Sequence, residues 1–177
     1  DPFCGSGTLL VEASQAAKRR APRTYNEMAF SRWPSHDSDA FATWSTSLTA
    51  EPSFTGEYIG SELDAEVITA ATSNIERAGV ADTVKVRHED MAKGFRHIAE
   101  GAVIVSNTPY GKRLRGGRAL RQLFGRFGQG LASRPDLKQV TLLVGYPGFE
   151  DATRLAWRRV ASFSNQGHPV RVLQLAP

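Results

Sequence analysis

The stretch Asp1-Pro2-Phe3-Cys4-Gly5-Ser6-Gly7-Thr8-Leu9-Leu10-Val11-Glu12-Ala13 runs from a glycine-bearing loop directly into a helical pattern. Gly5 and Gly7 let the main chain approach a ligand closely, and the following helix turns free amides and the positive end of its dipole toward the same place. Such a corner suits a carboxylate or a nucleotide. A tight packing turn has the same Gly-x-Gly spelling, so the loop gains meaning only from its surroundings. It lacks the Gly-Lys-Ser/Thr of a P-loop and the third glycine of a dinucleotide fingerprint, which turns the reading away from phosphate.

Outward from this loop, short β-rich runs alternate with helical patterns, as in a parallel sheet covered by crossover helices. Strands are expected at 57–60, 84–87, 102–106, 140–145, 158–163 and 170–175. Ile68, Ala71, Ile75 and Ala78 recur at helical spacing after Asp64, a plausible N-cap, and Gly79 stands where a C-terminal glycine stop belongs. A second amphipathic series, Leu120, Leu123, Phe124, Phe127 and Leu131, is weakened as a helix by Gly125, Gly128 and Gly130. A Gly-His-Pro turn separates the last two strands, which read as an antiparallel pair. Residues 21–55 break the alternation with three prolines and with Phe30, Trp33, Phe41 and Trp44. They read as an insertion whose aromatics pack on the domain, with a base-stacking platform as the alternative.

Composition sets outer limits. At 177 residues and 41% hydrophobic content the chain has the material for one domain with a real core. Its longest apolar runs are too short to span a bilayer and it opens with no leader, so a soluble, cytoplasmic protein is expected. Cys4 is the single cysteine, and the four histidines lack paired spacing, so neither a disulfide nor a metal site is expected. The net charge of +4 is unevenly spread. Residues 101–135 hold no acidic side chain but include Lys112, Arg113, Arg115, Arg118, Arg121, Arg126 and Arg134. A stripe of this kind neutralises phosphates, although a solvated helix face has the same composition.

Three further motifs carry chemistry. In Tyr58-Ile59-Gly60-Ser61-Glu62-Leu63-Asp64 an acidic residue ends a strand, where a carboxylate can accept both hydroxyls of a ribose. Glu62 is the stronger candidate, because a helix N-cap explains Asp64 without any ligand. In His88-Glu89-Asp90-Met91 a carboxylate can take an adenine amino proton and a Met can cover the ring; a surface turn explains the same residues. The sharpest signal is Val105-Ser106-Asn107-Thr108-Pro109-Tyr110-Gly111, which follows an all-apolar strand. Open α/β sheets place ligands at the carboxyl ends of their strands. A ring amine is a poor nucleophile because its lone pair is delocalised, so acceptors that draw on its N–H groups help to localise that pair. Asn107 Oδ1 and the Thr108 carbonyl are candidates for that task, and Tyr110 for stacking on a planar base beside Pro109.

With these motifs assembled, the chain resembles the RNA N2-guanine methyltransferases whose catalytic domain follows an RNA-binding THUMP domain, in particular the bacterial 23S rRNA enzymes. The resemblance rests on residues 1–9, Phe30-Ser31-Arg32-Trp33, Gly60-Ser61-Glu62-Leu63-Asp64, and Asn107-Thr108-Pro109-Tyr110-Gly111-Lys112-Arg113-Leu114. It implies a class I, Rossmann-like sheet and S-adenosylmethionine as cofactor. Asp1, Cys4, Gly5, Ser6 and Gly7 would hold the methionine part, Glu62 with Asp64 the ribose and Asp90 the adenine. Asn107, Thr108, Pro109 and Tyr110 would take the target amine, and Lys112, Arg113, Arg115 and Arg118 the RNA. Thr108 stands where the family usually has Pro, a change expected to loosen the loop. The resemblance further implies that residues 1–177 are a fragment of a catalytic domain lacking the first strand, which would lie between the strands ending near Gly60 and Ser106. DNA adenine or protein glutamine methylation, or a non-catalytic RNA-binding role on the same fold, are the alternatives.

Overall fold

The computed structural model describes residues 1–18, 28–47, 56–91, 95–110 and 117–176. Six strands carry the architecture: β1 (Tyr58–Glu62), β2 (Val84–His88), β3 (Val103–Asn107), β4 (Gln139–Val144), β5 (Trp157–Asn165) and β6 (His168–Leu175). Each overlaps one of the expected runs, with ends shifted by a residue or two. Among the described residues five α-helices accompany them: α1 (Thr8–Ala17), α2 (Ser38–Ser47), α3 (Ala65–Arg77), α4 (Gly117–Ala132) and α5 (Phe149–Thr153). β1 pairs with β2 in parallel, and β3 with β4 in parallel. β6 then runs antiparallel to both β4 and β5, as the Gly-His-Pro turn implied.

Local chemistry accounts for the helices. Asp64 caps α3, its Oδ1 accepting from Glu66 N at 2.9 Å, and Gly79 takes φ 65° beyond the C-terminus. The buried stripe of α3 is Ala71 and Ile75. In α4 the buried residues are Leu120, Phe124, Phe127, Gly128 and Leu131. Two of the glycines that weaken this helix by propensity, Gly128 and Gly130, have a packing role. A Cβ on Gly128 would lie 2.3 Å from the Thr153 carbonyl oxygen, and one on Gly130 2.2 Å from the Phe95 ring.

Two cores result. Phe124, Phe127, Phe149, Leu142, Val144 and Leu173 fill the larger one, between α4, α5 and the sheet. Burying each such side chain contributes roughly 1.5–3 kcal/mol. Cys4, Leu10, Ile75, Val80 and Val84 form the smaller. Consecutive loop residues join the two, since Phe3 packs edge-on against Phe124 at 6.4 Å between ring centroids while Cys4 is buried on the other side.

The sheet is divided between β1 and β3. Among the described residues no strand pairs with either facing edge, and a groove of about 840 Å³ separates them, lined by Tyr58 and Ile59 on one side and Val103 and Val105 on the other. Asp1 closes its upper end. Its main-chain nitrogen donates to Ile59 O at 2.8 Å and its carbonyl accepts from Ser61 N at 2.9 Å, the bonding pattern of a parallel neighbour to β1.

The described aromatics of the insertion lie against one another. Phe30, His36, Phe41 and Trp44 stack on one another at 5.2–5.9 Å. None of residues 28–47 is buried, and Trp33 is 63% exposed. Residues 21–27 and 48–55 lie outside the described part.

Candidate active site

Parallel pairing brings the ends of β1 and β2 to one edge, in register at Glu62 and His88, and those of β3 and β4 likewise at Asn107 and Leu143. The glycine loop lies across both pairs. Cys4 N donates to Ser61 O at 3.0 Å, fastening it to β1, and Ser106 Oγ donates to Asp1 Oδ1, fastening it to β3. Gly7, at φ 80°, is the N-cap of α1 and offers no side chain to the first-turn amides. At Gly5 a Cβ would meet nothing within 4 Å, so the loop is open there. An open corner with uncapped helix amides fits the carboxylate of a methionine moiety.

The acidic candidates divide into two kinds. Glu62 Oε1 accepts from Leu63 N at 2.7 Å and Asp64 N at 3.0 Å, bonds that hold the carboxylate at the tip of β1. Asp64 is occupied as the cap of α3, so its structural role is the one observed. Asp90 follows β2 and stands 4.0 Å from Arg126 Nη1 on α4. Met91 is buried in the larger core and also lines the groove.

Cys4 is a buried free thiol. Burial, and then the nearby Glu62 carboxylate, push its pKa up to about 11. It is therefore protonated and a poor nucleophile at neutral pH.

Asn107 ends β3 and is exposed at this edge. Thr108 corrects the sequence-based expectation. Its N–H at 3.0 Å and its hydroxyl at 2.9 Å both donate to Leu143 O, and the residue is buried. Threonine does not loosen the loop; it ties the loop to β4 with two bonds, neither of which proline has a hydrogen to make. Tyr110 lies against Gly145, and its hydroxyl accepts from Asn165 Nδ2 at 2.9 Å.

Of the basic residues, Lys112, Arg113 and Arg115 lie outside the described part. Arg118 and Arg121 are exposed on α4. Arg134 is engaged internally, bonding Asp136 at 2.6 Å, Phe95 O at 2.6 Å and Ala99 O at 3.1 Å. Residues that motif reading missed are Ser106, Gly145, Asn165 and His168. A buried serine in an apolar strand and a hairpin turn carry no local signature of a site. No helix among the described residues is long and apolar enough to cross a membrane.

Comparison with known proteins agrees with this geometry. Residues 1–171 match the family model described as UPF0020, the RMKL-like methyltransferase domain. The chain is similar to SMU.472, solved in complex with SAH, with a TM-score of 0.88 and 25% identity over 99% of this chain and 46% of that one. It is also similar to a predicted N6-adenine-specific DNA methylase from Listeria monocytogenes, with a TM-score of 0.77 and 27% identity over 99% and 45%. TrmN from Thermus thermophilus shares the fold, with a TM-score of 0.65 and 21% identity over 99% and 42%. The chain thus spans less than half the length of each of these proteins. By the match along almost its whole length, the chain belongs to the RMKL-like methyltransferase domain family.

Proposed function

We propose that residues 1–177 act as the catalytic domain of an S-adenosylmethionine-dependent methyltransferase that modifies guanine N2 in RNA, with 23S rRNA as the substrate. The observation that carries this reading is the junction of the glycine loop with the Asn107–Tyr110 loop, made by the bond from Ser106 Oγ to Asp1 Oδ1. A donor of methyl groups held by the first loop would stand beside an amine held by the second. The SAH complex of SMU.472 supports the choice of cofactor.

When bound, the cofactor supplies an electrophilic methyl group on a sulfonium. The chain contributes position and acceptors. Asp1, Cys4, Gly5, Ser6 and Gly7 would surround the methionine part, Glu62 would accept from the ribose hydroxyls, and Asp90 would accept from the adenine amine. Asn107 Oδ1 and the Thr108 carbonyl draw on the N–H groups of the target amine, Pro109 shapes the turn, and Tyr110 stacks on the base. With the donor bound, Asn107 Oδ1 and the Thr108 carbonyl would hold the amine nitrogen in line with the methyl group, and the spare amine proton would pass from these acceptors to water. Arg118, with Lys112, Arg113 and Arg115, holds phosphates. A THUMP-type RNA-binding domain elsewhere in a longer cytoplasmic protein would deliver the substrate.

The Listeria neighbour favours a second reading, methylation of adenine N6 in DNA, which uses a similar loop around a similar amine. Incubating the intact protein with methyl-labelled cofactor and either unmodified 23S rRNA transcript or duplex DNA separates the two. Label in N2-methylguanosine supports the first reading; label in N6-methyladenine of the DNA replaces it with the second.

A further inference from the structure

The β5–β6 hairpin ends far along the chain from the Asn107–Tyr110 loop, yet its tip touches that loop. Gln166 at φ 49° and Gly167 at φ 81° form a two-residue turn with both central residues left-handed, a geometry that suits the twist of a hairpin. Gln166 is one of two described non-glycine residues with positive φ. This turn makes Asn165 and His168 direct cross-strand partners, so their side chains leave the same face of the ribbon. Both reach Tyr110. Asn165 Nδ2 donates to its hydroxyl at 2.9 Å, and the His168 ring meets its ring edge-on at 6.4 Å between centroids. Beneath the ring lies Gly145, just beyond β4, where a Cβ would fall 2.5 Å from Tyr110 Cγ. Tyr110 thus meets residues from the ends of three strands, β4, β5 and β6.

We propose that Asn165, His168 and Gly145 are positioning residues that fix the Tyr110 ring in the orientation in which it receives the target base. The inference rests on the reading of Tyr110 as the stacking partner. A ring on a loop has rotamers to choose among, and a base stacked on the wrong one presents its amine off the line of attack; misplacement of this order can cost about a hundredfold in rate. The hydrogen bond removes part of that choice, the imidazole edge closes one side, and the bare Cα of Gly145 leaves room for the ring to lie flat against the strand end. Asn165 and His168 are both exposed, so neither is there to fill a core.

The test measures kcat, KM for the cofactor and thermal stability in the intact protein, with unmodified 23S rRNA transcript as the probe. Asn165→Ala and Gly145→Ala should each lower kcat about tenfold with cofactor KM unchanged, and Asn165→Ala in a Tyr110→Phe background should add less than about twofold, because partners acting through one group are not additive. Gly145→Ala serves as an independent probe of the same seat should the asparagine variant not fold. Wild-type kcat in both single variants, alongside a large loss in Tyr110→Ala, would overturn the inference while leaving the stacking role intact. An equal loss from Asn165→Ala with or without the Tyr110 hydroxyl would overturn it too. Wild-type kcat in Tyr110→Ala would instead remove the reading on which it rests, and the inference with it.

Discussion

Ser106 Oγ, on a fully buried residue near the end of β3, donates to Asp1 Oδ1 in the glycine loop, whose same oxygen accepts from Phe3 N at 3.1 Å. One carboxylate oxygen thereby shapes the loop and ties it to the strand that leads into Asn107. A hydrogen bond to a charged group contributes about 1.5–3 kcal/mol, so Ser106→Ala should lower unfolding free energy by about that much. It should also weaken cofactor binding, since the loop would lose its tie to β3. Denaturant melts and calorimetry check both. A variant as stable as the parent, with equal affinity, would show that the loop holds its place without this bond.

Glu62 and Asp64 stand two residues apart and should respond differently. Glu62→Ala should weaken cofactor binding by about 1–3 kcal/mol, the cost of unmatched buried polar groups. Asp64→Ala should instead cost about 0.5–2 kcal/mol of stability through loss of the α3 cap, with affinity little changed. Paired melts and calorimetry on the two variants check the division, and the reverse pattern would exchange their roles.

Cys4 makes stability sensitive to alkali. Its folded pKa, about 11, lies above its ordinary 9.0 because of burial first and Glu62 second. Between these values the unfolded chain releases a proton that the folded chain retains. The stabilising contribution is complete below pH 9.0 and declines toward pH 11, by at most about 1.4 kcal/mol per unit. Melts of the parent and Cys4→Ala across this window should diverge, the variant losing less. Methyl transfer by the variant should persist at neutral pH. Parallel stability curves would show that the thiol titrates as in the unfolded chain.

Much of the fold was legible because its signals are local and periodic. All six strands, the α3 cap and the antiparallel pair follow from alternation, from Asp64 with Gly79, and from the turn at Gly167. What was not legible depends on contacts between distant residues. Gly128 and Gly130 read as helix breakers until Thr153 and Phe95 are seen against them. Helix α5, five residues long, is shorter than any window that reveals a period. Thr108 looked like a loosened proline site because its partner, Leu143 O, belongs to another strand. At the site, the motif residues were readable by chemical type, whereas Ser106, Asn165 and His168 acquire meaning only from Asp1 and Tyr110.

On the proposed RNA reading, charge on α4 should set the salt dependence of binding. Arg118 is exposed and begins the helix that follows the Asn107–Tyr110 loop. Each phosphate it neutralises contributes roughly 0.7–0.9 to the slope of log affinity against log salt, so Arg118→Glu should flatten the slope by about that amount or more. Binding titrations at several salt concentrations check it. An unchanged slope would make this arginine part of a solvated face.

The central claim is that Asn107 serves the transfer step and not the holding of the cofactor. Its most direct test is Asn107→Ala in the intact protein, with single-turnover methyl transfer to 23S rRNA transcript measured beside cofactor affinity by calorimetry. Loss of acceptor contacts that matter in the transition state should lower the transfer rate by about a hundredfold or more. Affinity for the cofactor should stay within about twofold, because a residue that stabilises only the transition state does not contribute to ground-state binding. A variant that transfers methyl groups at the parent rate, or one whose loss is explained entirely by failure to bind the cofactor, would contradict the account.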